Sequence, residues 1–135
     1  MSTRPDVKIR KQLSIFLSNR PGELSRLCGV LRENNINMMG ISVHDAVDHC
    51  LVRIVVDNPT KASLILEHEE WHVTEQDVVM VGVVNAPGAL GKISQKLAEA
   101  DINIFYAYAS VLPGAEEAMM ILNTDANEQA VEALH

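Results

Sequence analysis

Apolar residues near the start of the chain alternate with polar ones and then change to a helical spacing. Leu13, Ile15 and Leu17 share one face of a predicted strand. From Glu23 the apolar positions follow the i, i+3, i+4, i+7 spacing of an amphipathic helix, at Leu24, Leu27, Cys28 and Leu31. The pattern then predicts two strands, a second helix and an extended segment that begins at Val73. The first half of the chain therefore has the predicted order β-α-β-β-α-β.

The second half of the chain repeats this order. Residues 19–24 read Asn-Arg-Pro-Gly-Glu-Leu, and residues 85–90 read Asn-Ala-Pro-Gly-Ala-Leu, 66 positions later. The same offset also aligns the apolar runs 52–56 and 118–122. A repeat of this length indicates one structural unit used twice. We expect one domain over residues 7–77 and a second over residues 78–135.

The element order favours an α+β fold of two ferredoxin-like βαββαβ units, each an antiparallel sheet with both helices on one face. In the second unit the final helix reaches the end of the sequence, so this unit is expected to lack its last strand. The strand over 78–84 would then have an open edge, which invites aggregation. We expect the other unit or another chain to cover that edge. Units this small are marginally stable alone, and we favour a homodimer.

Composition and charge exclude several classes of protein. The chain has 135 residues, of which 47% are apolar, and a formal net charge of −7. An acidic protein is a poor partner for nucleic acid, because phosphate binding needs a Lys/Arg surface. No apolar run is long enough to span a membrane, and the N-terminal residues lack the apolar core of a signal peptide. The sequence therefore predicts a cytoplasmic protein, in which Cys28 and Cys50 are more readily reduced thiols than a disulfide.

The repeated Asn-x-Pro-Gly-x-Leu motif is the strongest chemical signal. A strand must turn sharply into a helix here, and proline and glycine suit that turn for conformational reasons alone. The repeated asparagine favours a function, because a turn needs no particular amide. The start of the helix presents unpaired N–H groups that suit a carboxylate. An asparagine beside it has both a donor and an acceptor, which fits the two charged groups of an α-amino acid.

These two loops, together with Asn34-Asn35-Ile36-Asn37-Met38 and Ala100-Asp101-Ile102-Asn103-Ile104, resemble ACT domains. The resemblance covers nearly the whole chain and implies a stand-alone tandem ACT protein with no catalytic domain. It implies that an amino acid binds between two domains, against the first loop of one and the second strand of its neighbour. The site residues implied are Asn19, Arg20, Pro21, Gly22, Glu23, Leu24, Asn37, Met38, Asn85, Ala86, Pro87, Gly88, Ala89, Leu90, Asn103 and Ile104.

Two departures from the family bear on the ligand. The serine-sensing ACT domain of phosphoglycerate dehydrogenase has a histidine two residues before the loop asparagine, where this chain has Leu17 and Val83. The resemblance therefore implies a more apolar pocket than one for serine, with side chains from Met38, Met39 and Ile104. The first loop is charged at positions 20 and 23, and the second has alanine at both equivalent positions, so the two sites are expected to differ.

Other chemistry has less support in the sequence. The turn that contains His44, Asp45, Asp48, His49 and Cys50 holds metal-ligand residue types, but their spacing matches no zinc or iron pattern. No catalytic spacing and no phosphate-binding loop is present, including that of acylphosphatase. We therefore expect a non-enzymatic amino-acid sensor without cofactor or metal. The alternative is an interaction protein that docks on a metabolic enzyme and has no ligand of its own, and a small hydrolase comes third.

Overall fold

The computed structural model describes residues 6–46, 48–110 and 113–135. Val47, Val111 and Leu112, which the sequence places in or beside the two hairpin turns, lie outside the described residues. The elements in chain order are β1 (Asp6–Ser18), α1 (Glu23–Glu33), β2 (Met38–Ala46), β3 (His49–Val56), α2 (Pro59–His68), β4 (Val73–Val84), α3 (Ala89–Glu99), β5 (Ile104–Ser110), β6 (Glu117–Thr124) and α4 (Asn127–Leu134). The predicted order is confirmed in both halves.

The chain divides into two compact units. The first unit is Lys11–Gln76, and the second unit combines residues 6–10 with Asp77–His135. Strands β1 and β4 are long enough to contribute to both units. Among the described residues, no helix combines the length and the apolar character needed to cross a membrane.

In the first unit, β3 lies between β2 and β1, and both neighbours are antiparallel to it. Alternate residues of these strands face α1 and α2, so both helices cover one face of the sheet. Asn58 caps α2, because its side-chain oxygen accepts a hydrogen bond from the Lys61 N–H at 3.2 Å. The core of this unit consists of Leu13, Ile15, Leu17, Leu27, Leu31, Ile36, Val52, Ile54, Val56, Ala62, Leu66 and Trp71.

In the second unit, the strand order is β1-β4-β6-β5. The start of β1 lies beside β4, in the place that the last strand takes in a βαββαβ unit, and Asp6 lies next to Gly82. Val7 is only 7% exposed and belongs to this unit's core. The edge of 78–84 is therefore covered as expected, but by residues 6–10, which belong to the second unit and not to the other unit or another chain. The core consists of Val7, Val79, Val81, Ile93, Leu97, Ile102, Met120, Leu122, Ala130 and Leu134.

The β5–β6 hairpin of the second unit is longer than the equivalent β2–β3 hairpin of the first unit. Leu13 pairs with Ile54 in the first unit, and its equivalent Val79 pairs with Leu122 in the second. Equivalent residues are thus 66 positions apart before the hairpin and 68 positions apart after it. The expected alignment of 52–56 with 118–122 is wrong by two residues. The error is invisible in the pattern, because a shift of two leaves the alternation of a strand unchanged.

Candidate functional site

Each strand-to-helix corner ends in a glycine with a left-handed backbone. Gly22 has φ +90° and Gly88 has φ +83°, and α1 and α3 begin at the next residue. A Cβ atom at either glycine would meet nothing within 4 Å, so the backbone conformation, and not space, requires glycine here. Among the described residues, no side-chain oxygen bonds an N–H group in the first turn of either helix. The Glu23 and Ala89 N–H groups bond the Arg20 and Ala86 carbonyls, and the next N–H groups of each turn have no such partner in the described part of the chain.

Replacing Gly22 by alanine is expected to destabilise the protein by about 1–2 kcal/mol, because an L-residue at this φ is strained. Gly29→Ala is the matched control, since Gly29 lies inside α1 and a Cβ there also meets nothing within 4 Å. That variant is expected to stabilise the protein by about 0.5–1 kcal/mol. Denaturant unfolding measures both changes, and changes of the same sign in the two variants would refute this explanation of the corner.

The loop asparagines fasten each corner to the nearby hairpin. The Asn19 side-chain N–H donates to Asp45 Oδ1 at 3.1 Å, and the Cys50 thiol lies 3.5 Å from Asn19 Oδ1 as a donor. The Asn85 side-chain N–H donates to the Ala115 carbonyl at 2.9 Å. The corner thus uses these amides for its own structure, and the expectation that a turn needs no particular amide is wrong here.

Asn37 and Asn103, the strand asparagines just before β2 and β5, are held by their backbone groups and not by their side chains. The Asn37 backbone N–H donates to Asp57 Oδ1 at 3.1 Å, and its carbonyl accepts from the Asp57 N–H at 3.1 Å. Asn103 makes the same pair of bonds with Asp125, at 3.0 and 3.1 Å. Both asparagines are exposed, and none of the hydrogen bonds among the described residues involves their side-chain amides. These amides are available to a ligand.

The loop and strand asparagines of one unit lie far apart. Asn19 follows Ser18, which pairs with His49, while Asn37 precedes Met38, which pairs with Val56. The two pairs are separated by the length of β3, which corresponds to about 24 Å at the usual rise of a strand. The second unit has the same separation between Asn85 and Asn103. A single amino acid cannot contact both asparagines of one unit.

The two corners differ in charge. Arg20 Nη2 lies 3.8 Å from Glu23 Oε1, across the first turn of α1. Alanine occupies both equivalent positions of the second corner, at Ala86 and Ala89. The leucine in the first turn is exposed in both units, by 39% at Leu24 and by 49% at Leu90. The first corner therefore has an ion pair and the second has only a small apolar surface.

The residues expected to line an apolar pocket pack mainly within their own unit. Met38 contacts the core of the first unit, and Ile104 and Val83 contact the core of the second. Leu17 is only 2% exposed and faces the helices. Met39 is half-buried. The side chains at positions 17 and 83 therefore support the fold directly.

The predicted polar turn is shorter in the structure, because His44 and Asp45 belong to β2 and His49 begins β3. His44 Nε2 lies 2.6 Å from Ser42 Oγ and 3.2 Å from Arg53 Nη1. Among residues 6–46, 48–110 and 113–135, no group of three or more His, Cys, Asp or Glu side chains could hold a metal ion. Cys28 and Cys50 are both free and half-buried. The side chains of His44 and Asp45 therefore bond within the β2–β3 hairpin and to the corner beside it.

Comparison with known proteins decides the family. The sequence model of the family described as "ACT domain pair" matches residues 8–135. The chain belongs to the ACT domain pair family. This agrees with the resemblance found in the two loops and with the order of elements in each ACT unit.

Solved structures share the fold of this ACT pair. Protein BT0572 from Bacteroides thetaiotaomicron is 30% identical, with a TM-score of 0.87 over 95% of this chain and 88% of that one. The ligand-free regulatory subunit of aspartate kinase from Thermus thermophilus is 18% identical, with a TM-score of 0.70 over 99% of this chain and 97% of the other. The regulatory subunit from Thermus flavus is 19% identical, with a TM-score of 0.67 and 98% and 95% coverage. None of the curated proteins matches this chain.

Proposed function

We propose that this ACT pair is a non-catalytic regulatory protein that binds a free amino acid. The observation that carries the proposal is an arrangement that occurs in both units. Among the described residues, each unit has an exposed strand amide that makes no hydrogen bond and a corner whose helix start has no side-chain cap. The two features are about 24 Å apart within a unit, by the rise of a strand. A ligand that touches both features must therefore lie between two domains, and we assign the second domain to another copy of the chain.

The chemistry of the two features suits a zwitterion. The N–H groups at the start of α1 or α3 would bind the ligand's carboxylate, helped by the helix dipole. The side-chain oxygen of Asn37 or Asn103 would accept a hydrogen bond from the ligand's ammonium group, and the amide N–H could donate to its carboxylate. Residues 20–24 and 86–90 would form the wall of the site, with Met38 and Ile104 beside the strand asparagines.

Regulation would follow from the position of the ligand at a domain boundary. A ligand that binds one arrangement of two domains better than another shifts their equilibrium by its differential affinity. The Thermus structures support this proposal, because they share the fold and are regulatory subunits of aspartate kinase. A homodimer that responds to an amino acid and acts on an enzyme is therefore our leading proposal.

Isothermal titration with the proteinogenic L-amino acids, one at a time, tests the function. One or a few of them are expected to saturate the protein with a dissociation constant of about 1 mM or below. Sedimentation velocity with and without that amino acid reports the oligomeric state. A lack of heat from every amino acid up to about 10 mM would refute the sensor function.

An interaction protein without a ligand is the second candidate. The outer strands of the sheets, β2 and β5, have exposed apolar side chains, with Ile41 42%, Val43 48% and Phe105 60% exposed. Exposed edges of this kind favour pairing with a partner. Co-purification of a stoichiometric enzyme, together with silence in every titration, would favour this candidate over the sensor.

A further inference from the structure

Asp57 and Asp125 hold the strand asparagines with the same two bonds in both units. In each case the aspartate carboxylate accepts from the asparagine N–H, and the aspartate N–H donates to the asparagine carbonyl. We propose that Asp57 and Asp125 are positioning residues of the amino-acid site, which orient the side-chain amides of Asn37 and Asn103 toward the ligand. This inference rests on the proposed function.

These hydrogen bonds lie just beyond the last paired residues of β2 with β3 and of β5 with β6. Met38 and Val56 are the last pair between β2 and β3, and Ile104 and Thr124 are the last pair between β5 and β6. The next backbone groups, those of the asparagines, would otherwise face water and fray. With both the N–H and the carbonyl held, the direction of the Cα–Cβ bond is fixed. Only the side-chain torsions of the asparagine remain to be ordered when a ligand binds, which favours affinity.

Capping of the helix that follows each aspartate, α2 or α4, does not explain why an aspartate occurs at both positions. Helix α2 is capped by the side chain of Asn58, and α4 has alanine at that position, with no side-chain cap. The two hydrogen bonds between aspartate and asparagine, here called the clamp, are nevertheless the same in both units. The clamp also persists although the second hairpin is two residues longer, so that the partners are 20 residues apart in one unit and 22 in the other. The common feature of the two clamps is the exposed asparagine that each one holds.

The test compares Asp57→Ala and Asp125→Ala with Asp57→Asn and Asp125→Asn in the full chain. The asparagine variants keep a side-chain oxygen as acceptor, whereas the alanine variants do not. Glu132→Ala is a matched control, since it also removes one exposed carboxylate. The probe is an equimolar mixture of the proteinogenic L-amino acids, and the readouts are the half-saturating concentration by titration and the thermal midpoint without ligand.

Each alanine variant is expected to raise the half-saturating concentration of its site by about threefold to tenfold, because the amide must then be ordered on binding. The asparagine variants and Glu132→Ala are expected to stay within about twofold of the wild type. Equal losses of affinity in the alanine and asparagine variants, or no loss of affinity in either, would overturn the inference. The sensor function would still stand in that case, provided that the wild type binds an amino acid. If an alanine variant does not fold, Asp57→Leu and Asp125→Leu replace it in the comparison, because leucine fills similar space and has no acceptor. A wild type that shows no saturation would overturn both proposals.

Discussion

Replacing Val7 by aspartate is expected to destabilise the second unit by about 3 kcal/mol or more, because it places a charge in a core without a partner. Val7 is 7% exposed and packs in that core, although it lies at the opposite end of the sequence from most of the unit. Hydrogen exchange is expected to show the largest loss of protection in β4, β6 and α3. The result would demonstrate that the start of β1 is an integral strand of the second unit.

Ile9→Asp is the matched control for this prediction. Ile9 lies on the same strand and the same face two residues later, but it is 38% exposed. This substitution is expected to cost only about 1 kcal/mol, since the charge can reach water. Similar losses of stability in both variants, measured by denaturant unfolding, would contradict the position of Val7 in the core.

Replacing the strand asparagines is expected to weaken ligand binding strongly and leave the fold intact. Asn37→Ala and Asn103→Ala each remove an amide that would bond a charged group of the ligand, which corresponds to a loss of about tenfold to a hundredfold in affinity. Stability is expected to change by no more than about 0.5 kcal/mol, because both side chains are exposed.

The loop asparagines provide the comparison. Asn19→Ala and Asn85→Ala each remove hydrogen bonds that join a corner to its hairpin, so each is expected to cost about 1 kcal/mol of stability. Titration and denaturant unfolding on the same four variants separate the two effects. Strand variants that bind as the wild type does would contradict the assignment of their amides to the ligand.

Most of the fold could be predicted because its signals are local. The spacing of Leu24, Leu27, Cys28 and Leu31 predicts α1, which begins at Glu23 as expected. The extended segment from Val73 onward is one strand that reaches Val84. The role of residues 6–10 could not be predicted in the same way. Asp6 lies next to Gly82, 76 positions later in the sequence, and no local pattern identifies this neighbour.

The candidate site was predicted less completely. The sequence identifies both corners and both strand asparagines, because motif and spacing repeat. The partners of Asn19 lie in the β2–β3 hairpin, 26 and 31 residues later, so its structural role depends on the folded chain. The sequence does not show that Asp57 and Asp125 are equivalent, because the β5–β6 hairpin is longer. A constant offset of 66 residues aligns Asp57 with Asn123 instead.

The most direct test of the central claim is chemical-shift mapping by NMR with the amino acid that titration identifies. At saturation, the side-chain amide signals of Asn37 or Asn103 are expected to shift together with backbone amide signals from the first turn of α1 or α3. Joint shifts would place one ligand against the strand of one domain and the corner of another. Unchanged signals at both asparagines and both corners, while other signals move, would contradict the account.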